Sequence, residues 1–146
     1  MPAQLEAMID PHIRHEVNGI LVCVPPPALS PTDGESALLH LRAVAFFLAD
    51  DVKHLDDVCA ISYRPDGWTR PSRDELLGKD GADELNKRLS HLTTRRLEPG
   101  DWFDMLQRIP IVVSAFEGFV DALDAVWQLQ FAPILDDIAA WRSLHP

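Results

Sequence analysis

Cysteine is scarce in this sequence, because the 146 residues include only Cys23 and Cys59. Two cysteines without a CxxC spacing exclude a disulfide framework and a cysteine-based zinc site. Both lie in apolar runs, so we expect buried, reduced thiols of a cytoplasmic protein.

Basic residues are also few. The chain has 13 Lys and Arg against 23 Asp and Glu, which gives a formal net charge of −10 and a pI of about 4.8. This charge argues against non-specific binding to DNA or to an anionic membrane, because both need a positive surface. A local basic cleft is still compatible with it.

Long hydrophobic runs are missing as well. The longest mainly apolar stretch, IPIVVSAF, is far shorter than the roughly 20 residues of a transmembrane helix. The N-terminal MPAQLEAMIDPHIRHE lacks the basic start and apolar centre of a signal peptide. We therefore expect one cytoplasmic domain over residues 1–146, long enough to bury its own core and without membrane contact.

The apolar residues that are present recur at helical spacing, and no convincing period-two strand is found. Asp10-Pro11 is typical of a helix start, and the prolines at 25–27 end that helix. A nearly all-apolar segment from about Ser36 to Asp50 predicts a helix in the middle of the fold. Either Ser30-Pro31 or Ser36 would cap it.

Shorter elements are expected next. An acidic helix is predicted over about 52–61, followed by the loop SYRPDGWTRP, and then by a capping box formed by Ser72 and Glu75. We expect Trp68 in that loop to cover the core. The alternative is that it stacks on a nucleic-acid base between Arg64 and Arg70.

The last third of the chain predicts two helices. Apolar residues from Trp102 to Trp127 recur at 3–4 spacing after Asp101, a residue type preferred at helix N-caps. Pro110 predicts a kink or break near Arg108. Pro133 then separates an amphipathic C-terminal helix. The fold class expected is all-α, a four-helix up-and-down bundle with additional short helices.

The segment NKRLSHLTTRR, residues 86–96, concentrates positive charge in an acidic chain. On a helical wheel, Arg88, His91 and Arg95 line one flank beside a leucine stripe. Arginines bind phosphate bidentately, and an imidazole transfers protons near neutral pH, so this flank would suit an RNA phosphate. The alternative is that His91 packs at a helix edge while the arginines face water or pair with acids.

Several short motifs carry a resemblance. HLRAVAFF at 40–47, LDDV, Trp68, NKRLSHLT and Trp102 are similar to a family of small, uncharacterised bacterial helical proteins. NKRLSH also resembles the motif of the HEPN superfamily, in which an arginine precedes a histidine by five positions. The resemblance implies a HEPN-like fold and a metal-independent ribonuclease of toxin or phage-defence type that needs no cofactor. It also implies a homodimer in which two motif helices build one cleft.

The chain departs from the HEPN motif at one position. His91 matches the histidine and Lys87 the polar residue, but Asn86 stands in place of the catalytic arginine. Asparagine supplies no fixed cation for a transition-state phosphate. Residues five apart point about 140° apart on a helix, so Asn86 and His91 would share a site only across a second subunit. Either Lys87, Arg88, Arg42 or Arg95 substitutes, or the motif is not a nuclease motif.

His40 and Arg42 interrupt the apolar second helix. A charge in that setting must be paired, because an unpaired buried ion costs several kcal/mol. We expect Arg42 to bond Asp56 or Asp57, and His40 to bond a backbone carbonyl or the His91 helix. The alternative is that His40, Arg42 and His91 converge on one pocket.

No metal ligands are expected. His12, His15 and Glu16 near the first helix start, together with His54 among acidic residues, are types from which a helical bundle can build a metal site. The chain has neither HxxxH nor ExxH, however, and DinB-like bundles use HxxxH. DinB-like metal binding therefore ranks below the other hypotheses.

Three functional hypotheses result. The leading one is a HEPN-like RNA- or nucleotide-associated protein with an altered nuclease motif, dimerising through the His91 helix or the C-terminal helices. The second is an active metal-independent ribonuclease with His91 as general acid or base and Arg88, Arg95 or Arg42 as phosphate clamp. The third is a non-catalytic bundle that binds a partner such as an antitoxin-like protein.

Overall fold

The expectation of an all-α chain is confirmed. A computed structural model describes residues 2–22, 31–54, 56–90 and 106–144, and within them every regular element is helical. The α-helices are α1 (Pro2–Ala7), α2 (Arg14–Leu21), α3 (Pro31–Ala49), α4 (Arg73–Leu77), α5 (Gly81–Ser90), α6 (Ile109–Asp121) and α7 (Ala125–Leu144). A kinked segment (Met8–Ile13) joins α1 to α2, and a 3-10 turn (Ala60–Tyr63) precedes α4.

Helix α3 lies at the centre, as its apolar pattern predicts. It packs against α2, α4, α5 and α6. Its buried side chains form a continuous core stripe: Leu38, Leu41, Val44, Ala45 and Leu48. The helix begins at Pro31 rather than at Ser36, which agrees with the preference for proline in a first helical turn.

The first helix boundary falls where the sequence predicts it, although the chain is already helical from Pro2. Asp10 has φ −124° and ψ 122°, which interrupts the helical path immediately before Pro11. The N-terminal elements are held to the core by Tyr63, whose hydroxyl donates to the backbone oxygen of Leu5 at 2.9 Å.

The acidic helix expected over about 52–61 is wrong. Among the described residues of that stretch, the chain is irregular until the turn that begins at Ala60. The carboxylate of Asp57 accepts from the backbone amides of Lys53 and His54 at 2.9 and 2.8 Å. These local bonds satisfy amides that a helix would need, so they compete with helix formation.

The capping box of α4 is confirmed. The backbone amide of Ser72 donates to the carboxylate of Glu75 at 2.6 Å, and the amide of Glu75 donates to the Ser72 hydroxyl at 3.2 Å. At its other end, the guanidinium of Arg108 donates to the backbone oxygens of Glu75 and Leu76 at 2.7 and 3.0 Å. Both ends of this short helix are thus satisfied by side chains.

The predicted break near Arg108 agrees with the start of α6 at Ile109, which places Pro110 in the first turn. The prediction that this helix continues to Trp127 is wrong, because α6 ends at Asp121. Asp124 causes the restart: its carboxylate accepts from the amides of Val126 and Trp127, both at 3.0 Å, and caps α7. The predicted N-cap Asp101 lies outside the described residues.

The prediction that Pro133 separates two helices is also wrong, because α7 continues through this proline. A proline inside a helix costs about 3 kcal/mol. The same helix buries Phe131, Ile134 and Ile138 completely on both sides of it. Each such side chain contributes about 1.5–3 kcal/mol, so three together outweigh the lost backbone bond.

Helix α2 is tied to α7 by one carboxylate. Asp137 accepts from Nε and Nη2 of Arg14 at 2.8 and 3.2 Å, and from Nδ2 of Asn18 at 3.1 Å. The bond with Arg14 lowers the pKa of Asp137 and raises that of Arg14. Arg14 and Asn18 stand one turn apart, so this face of α2 is fixed against α7.

None of the described helices has the length and hydropathy needed to cross a bilayer.

Candidate metal centre

Three potential metal ligands meet where α2 packs on α3. His15 and Glu16 lie in the first turn of α2, and His40 lies in the middle of α3. One ligand atom from each of the three lies within 4.8 Å of the other two. This is the group of at least three His, Cys, Asp or Glu side chains that qualifies as a metal set in the part of the chain that the structure describes.

The closest pair within the group is His40 and Glu16. Nδ1 of His40 lies 2.8 Å from Oε2 of Glu16, and the side chains are 19% and 38% exposed. An ionised carboxylate only accepts, so Nδ1 of His40 is the donor in this contact. The ring of His15 approaches edge-on, with centroids 5.1 Å apart.

Gly19 makes the position of His40 possible. A Cβ atom on Gly19 would lie 2.2 Å from Cγ and Cδ2 of His40 and 2.7 Å from Nδ1. Side-chain atoms do not approach so closely, so any larger residue would displace the imidazole. The glycine thus lets the ring lie directly against the α2 backbone, one turn from Glu16.

A cavity of about 270 Å³ adjoins the group. Glu16 is a member of the ligand group and also lines the cavity. His12, one turn earlier, lines the cavity as well. The remaining wall is apolar and includes Met8, Val44, Phe47 and Phe116. A polar edge and an apolar wall are the usual features of small-molecule sites.

Arg42 is not paired with the acids expected for it. Its guanidinium carbon lies 4.9 Å from the centroid of the Phe46 ring, and Arg73 covers the same ring at 3.8 Å. Asp57 is occupied by backbone amides instead. Nε of Arg42 is buried and has no hydrogen-bond partner among the described residues.

The proposed convergence of His40, Arg42 and His91 is described only in part. His40 contacts Gly19 and Glu16 on α2, whereas Arg42 lies over a phenyl ring of its own helix. The two side chains therefore face different neighbours. His91 lies outside the described residues.

The basic segment is also only partly described. Lys87 is on the exposed face of α5, with Nζ 4.0 Å from a carboxylate oxygen of Glu84. Oδ1 of Asn86 is buried and finds no hydrogen-bond partner in the described ranges. Arg95 and the side chain of Arg88 fall outside the described residues, as His91 does, so the phosphate site stays a prediction.

The acidic stretch after α3 is occupied by internal contacts. Arg73 pairs with Asp50, and Arg70 pairs with Asp51. The latter contact lowers the pKa of Asp51. No side chain of this stretch belongs to the ligand group found among the described residues.

Trp68 covers the core, as expected. Its ring meets that of Phe119 edge-on at 5.5 Å between centroids. Arg70 is held by Asp51, and so it does not stack on the indole.

The sequence alone does not predict this ligand set. The spacing of His12, His15 and Glu16 marks a potential site, but the third ligand comes from the next helix and no local motif connects them. Two signals were present in the sequence: a histidine inside an apolar helix, and a glycine one turn after Glu16. Only the packing of α2 on α3 relates these two positions.

Comparison with known proteins gives no further guide, because no protein-family model, curated protein or solved structure matches this chain.

Proposed function

We propose that the protein binds a divalent transition-metal ion through His15, Glu16 and His40. One observation carries this proposal: ligand atoms from two consecutive helices lie within 4.8 Å of one another. Bonds from Zn²⁺ to N and O are about 2.0–2.1 Å, which puts neighbouring ligands of a tetrahedral ion about 3.3 Å apart. His15 is exposed, so rotation of its side chain can close the difference.

The donor set defines the class of metal. Two imidazoles and one carboxylate suit Zn²⁺, Co²⁺, Ni²⁺, Cu²⁺ or Fe²⁺ better than Ca²⁺ or Mg²⁺, which prefer oxygen. A cation that replaced the proton between Nδ1 of His40 and the carboxylate of Glu16 would be bound by both groups. Three protein ligands leave at least one position for water or a substrate, which is the arrangement of catalytic rather than structural zinc sites.

The proposal is tested by titrating Co²⁺ and Zn²⁺ into the purified chain. We expect the visible absorption bands of nitrogen-coordinated Co²⁺ to appear, and to disappear when Zn²⁺ displaces the Co²⁺. A ligand present at 100 times its Kd adds about 2.7 kcal/mol of stability, which for a domain of this size raises Tm by roughly 5–10 °C.

The matched variants are Glu16→Gln and His40→Gln, with His54→Ala as the control. We expect both ligand variants to weaken Co²⁺ binding by at least about tenfold, a loss of about 1.4 kcal/mol. His54 is an exposed histidine outside the group, so its removal should leave binding unchanged. Absent bands in the wild type, or equal losses in all three variants, would overturn the proposal.

The HEPN-like hypothesis concerns a different part of the chain and stays a prediction. It rests on the resemblance of NKRLSH, and it comprises the up-and-down four-helix bundle, the homodimer, RNA or an antitoxin-like partner, and the cytoplasmic location. Incubating RNA with wild type and His91→Ala in excess EDTA tests its nuclease form. Since EDTA removes divalent metals, cleavage there would be independent of the centre at His15, Glu16 and His40.

A further inference from the structure

The cavity beside the ligand group indicates what the open coordination position binds. Glu16 belongs to both features, whereas His15 and His40 do not line the cavity, so a molecule in the cavity would reach the proposed metal past this one carboxylate. An apolar cavity of about 150 Å³ accommodates benzene. The 270 Å³ found here therefore has room for one ring with a short substituent.

The charges around the cavity select the polar end of that molecule. A divalent ion bound by one carboxylate and two neutral imidazoles keeps one positive charge. Glu16 is 38% exposed and His15 is exposed, so water reaches the site, and the single remaining positive charge is matched by a monoanion. His12 lines the cavity one turn before Glu16 and supplies an imidazole, a group that can donate a hydrogen bond to a carboxylate.

The opposite wall selects the apolar end. Val44 and Phe116 are 2% and 1% exposed, and Phe47 completes the wall. These side chains offer dispersion contacts and no hydrogen-bond partner. A second anionic or strongly polar group placed against them would be desolvated without compensation.

We infer that the site binds a small monocarboxylate that carries one aromatic or compact aliphatic group. The carboxylate completes the metal coordination, and the apolar group fills the cavity. This inference rests on the proposed metal centre and names the class of ligand that the centre takes.

The test compares benzoate with acetate on Co²⁺-loaded protein, followed by the visible spectrum and by calorimetry. Both anions reach the metal, but only benzoate reaches the apolar wall. We expect benzoate to bind at least tenfold more tightly than acetate. Equal affinities with intact Co²⁺ bands would overturn the inference and leave the metal centre standing, whereas absent Co²⁺ bands would overturn the metal centre itself.

Two variants locate the ligand. Ala43→Leu adds bulk to the cavity wall and should reduce the advantage of benzoate over acetate to near unity, with Co²⁺ affinity unchanged. Met8→Ala removes a half-buried wall residue and should improve binding of 2-naphthoate relative to benzoate by several-fold. If Ala43→Leu fails to fold, Met8→Ala decides alone: an unchanged ratio of naphthoate to benzoate places the ring elsewhere and refutes the inference.

Discussion

Replacing Gly19 by alanine should destabilise the wild type and stabilise a variant that lacks His40. The new Cβ would lie 2.2 Å from the imidazole, so the ring must leave its place against α2. Overpacking of this kind costs about 1–3 kcal/mol, and the lost bond to Glu16 costs about 1 kcal/mol more. Alanine returns only about 0.5–1 kcal/mol as the better helix former. We expect a net loss of about 1–3 kcal/mol, or roughly 3–10 °C in Tm.

In the His40→Ala background the obstructing ring is absent, and only the helix-propensity term of Gly19→Ala remains. The substitution should then stabilise by about 0.5–1 kcal/mol. The four proteins form a double-mutant cycle with a coupling energy of about 2–4 kcal/mol, at or above the upper end of the range known for side chains in contact. Chemical denaturation followed by circular dichroism measures each free energy of unfolding.

Gly118 provides the control for this cycle. It lies within α6, and a Cβ there meets nothing within 4 Å. Gly118→Ala should therefore stabilise by about 0.5–1 kcal/mol whether or not His40 is present. If Gly19→Ala behaved like Gly118→Ala in both backgrounds, the imidazole would not lie against α2, and the geometry of the candidate metal centre would be refuted.

Two further predictions concern single contacts. The pKa of Asp137 is lowered by Arg14, so the stability from this pair is present above the ordinary carboxyl pKa of about 3.9 and is lost as pH falls through the lower folded value. In Asp137→Asn, the free energy of unfolding should therefore fall less steeply as the solution is acidified. A loss of the same size at every pH would contradict this. Burial raises the pKa of Tyr63, the single tyrosine of the chain. The absorbance of tyrosinate at 295 nm should therefore appear only at a pH well above the usual tyrosine pKa of about 10, and only as the protein unfolds. Tyr63→Phe, which loses the bond to Leu5, should lower the free energy of unfolding by about 1 kcal/mol, and an unchanged denaturation midpoint would show that the bond contributes nothing.

The sequence predicts those features that depend on neighbouring residues. Ser72 and Glu75 are three positions apart and bond each other, so their spacing alone identifies the start of α4. The apolar residues of α3 likewise predict its central place. At Pro133 the same local reasoning failed, because burial of flanking side chains decides the outcome and local pattern does not report how deeply α7 is packed.

The candidate site shows the same limit. His15 and Glu16 could be noted as potential ligands from their spacing, but His40 was expected to bond elsewhere. Its contact with Glu16 depends on the register of α3 against α2, which Gly19 permits by leaving space for a ring. Register between helices is a property of the packed core, and neither periodicity nor capping determines it.

Asp137 connects the orientation of the candidate ligands to the far end of the chain. Because Arg14 and Asn18 both donate to this one carboxylate, the rotation of α2 about its own axis is set by α7. A turn of α2 by one residue, about 100°, would carry Glu16 away from His40. The orientation of His15 and Glu16, near the N-terminus, therefore depends on Asp137 near the C-terminus. A substitution at Asp137 would also affect the candidate ligands.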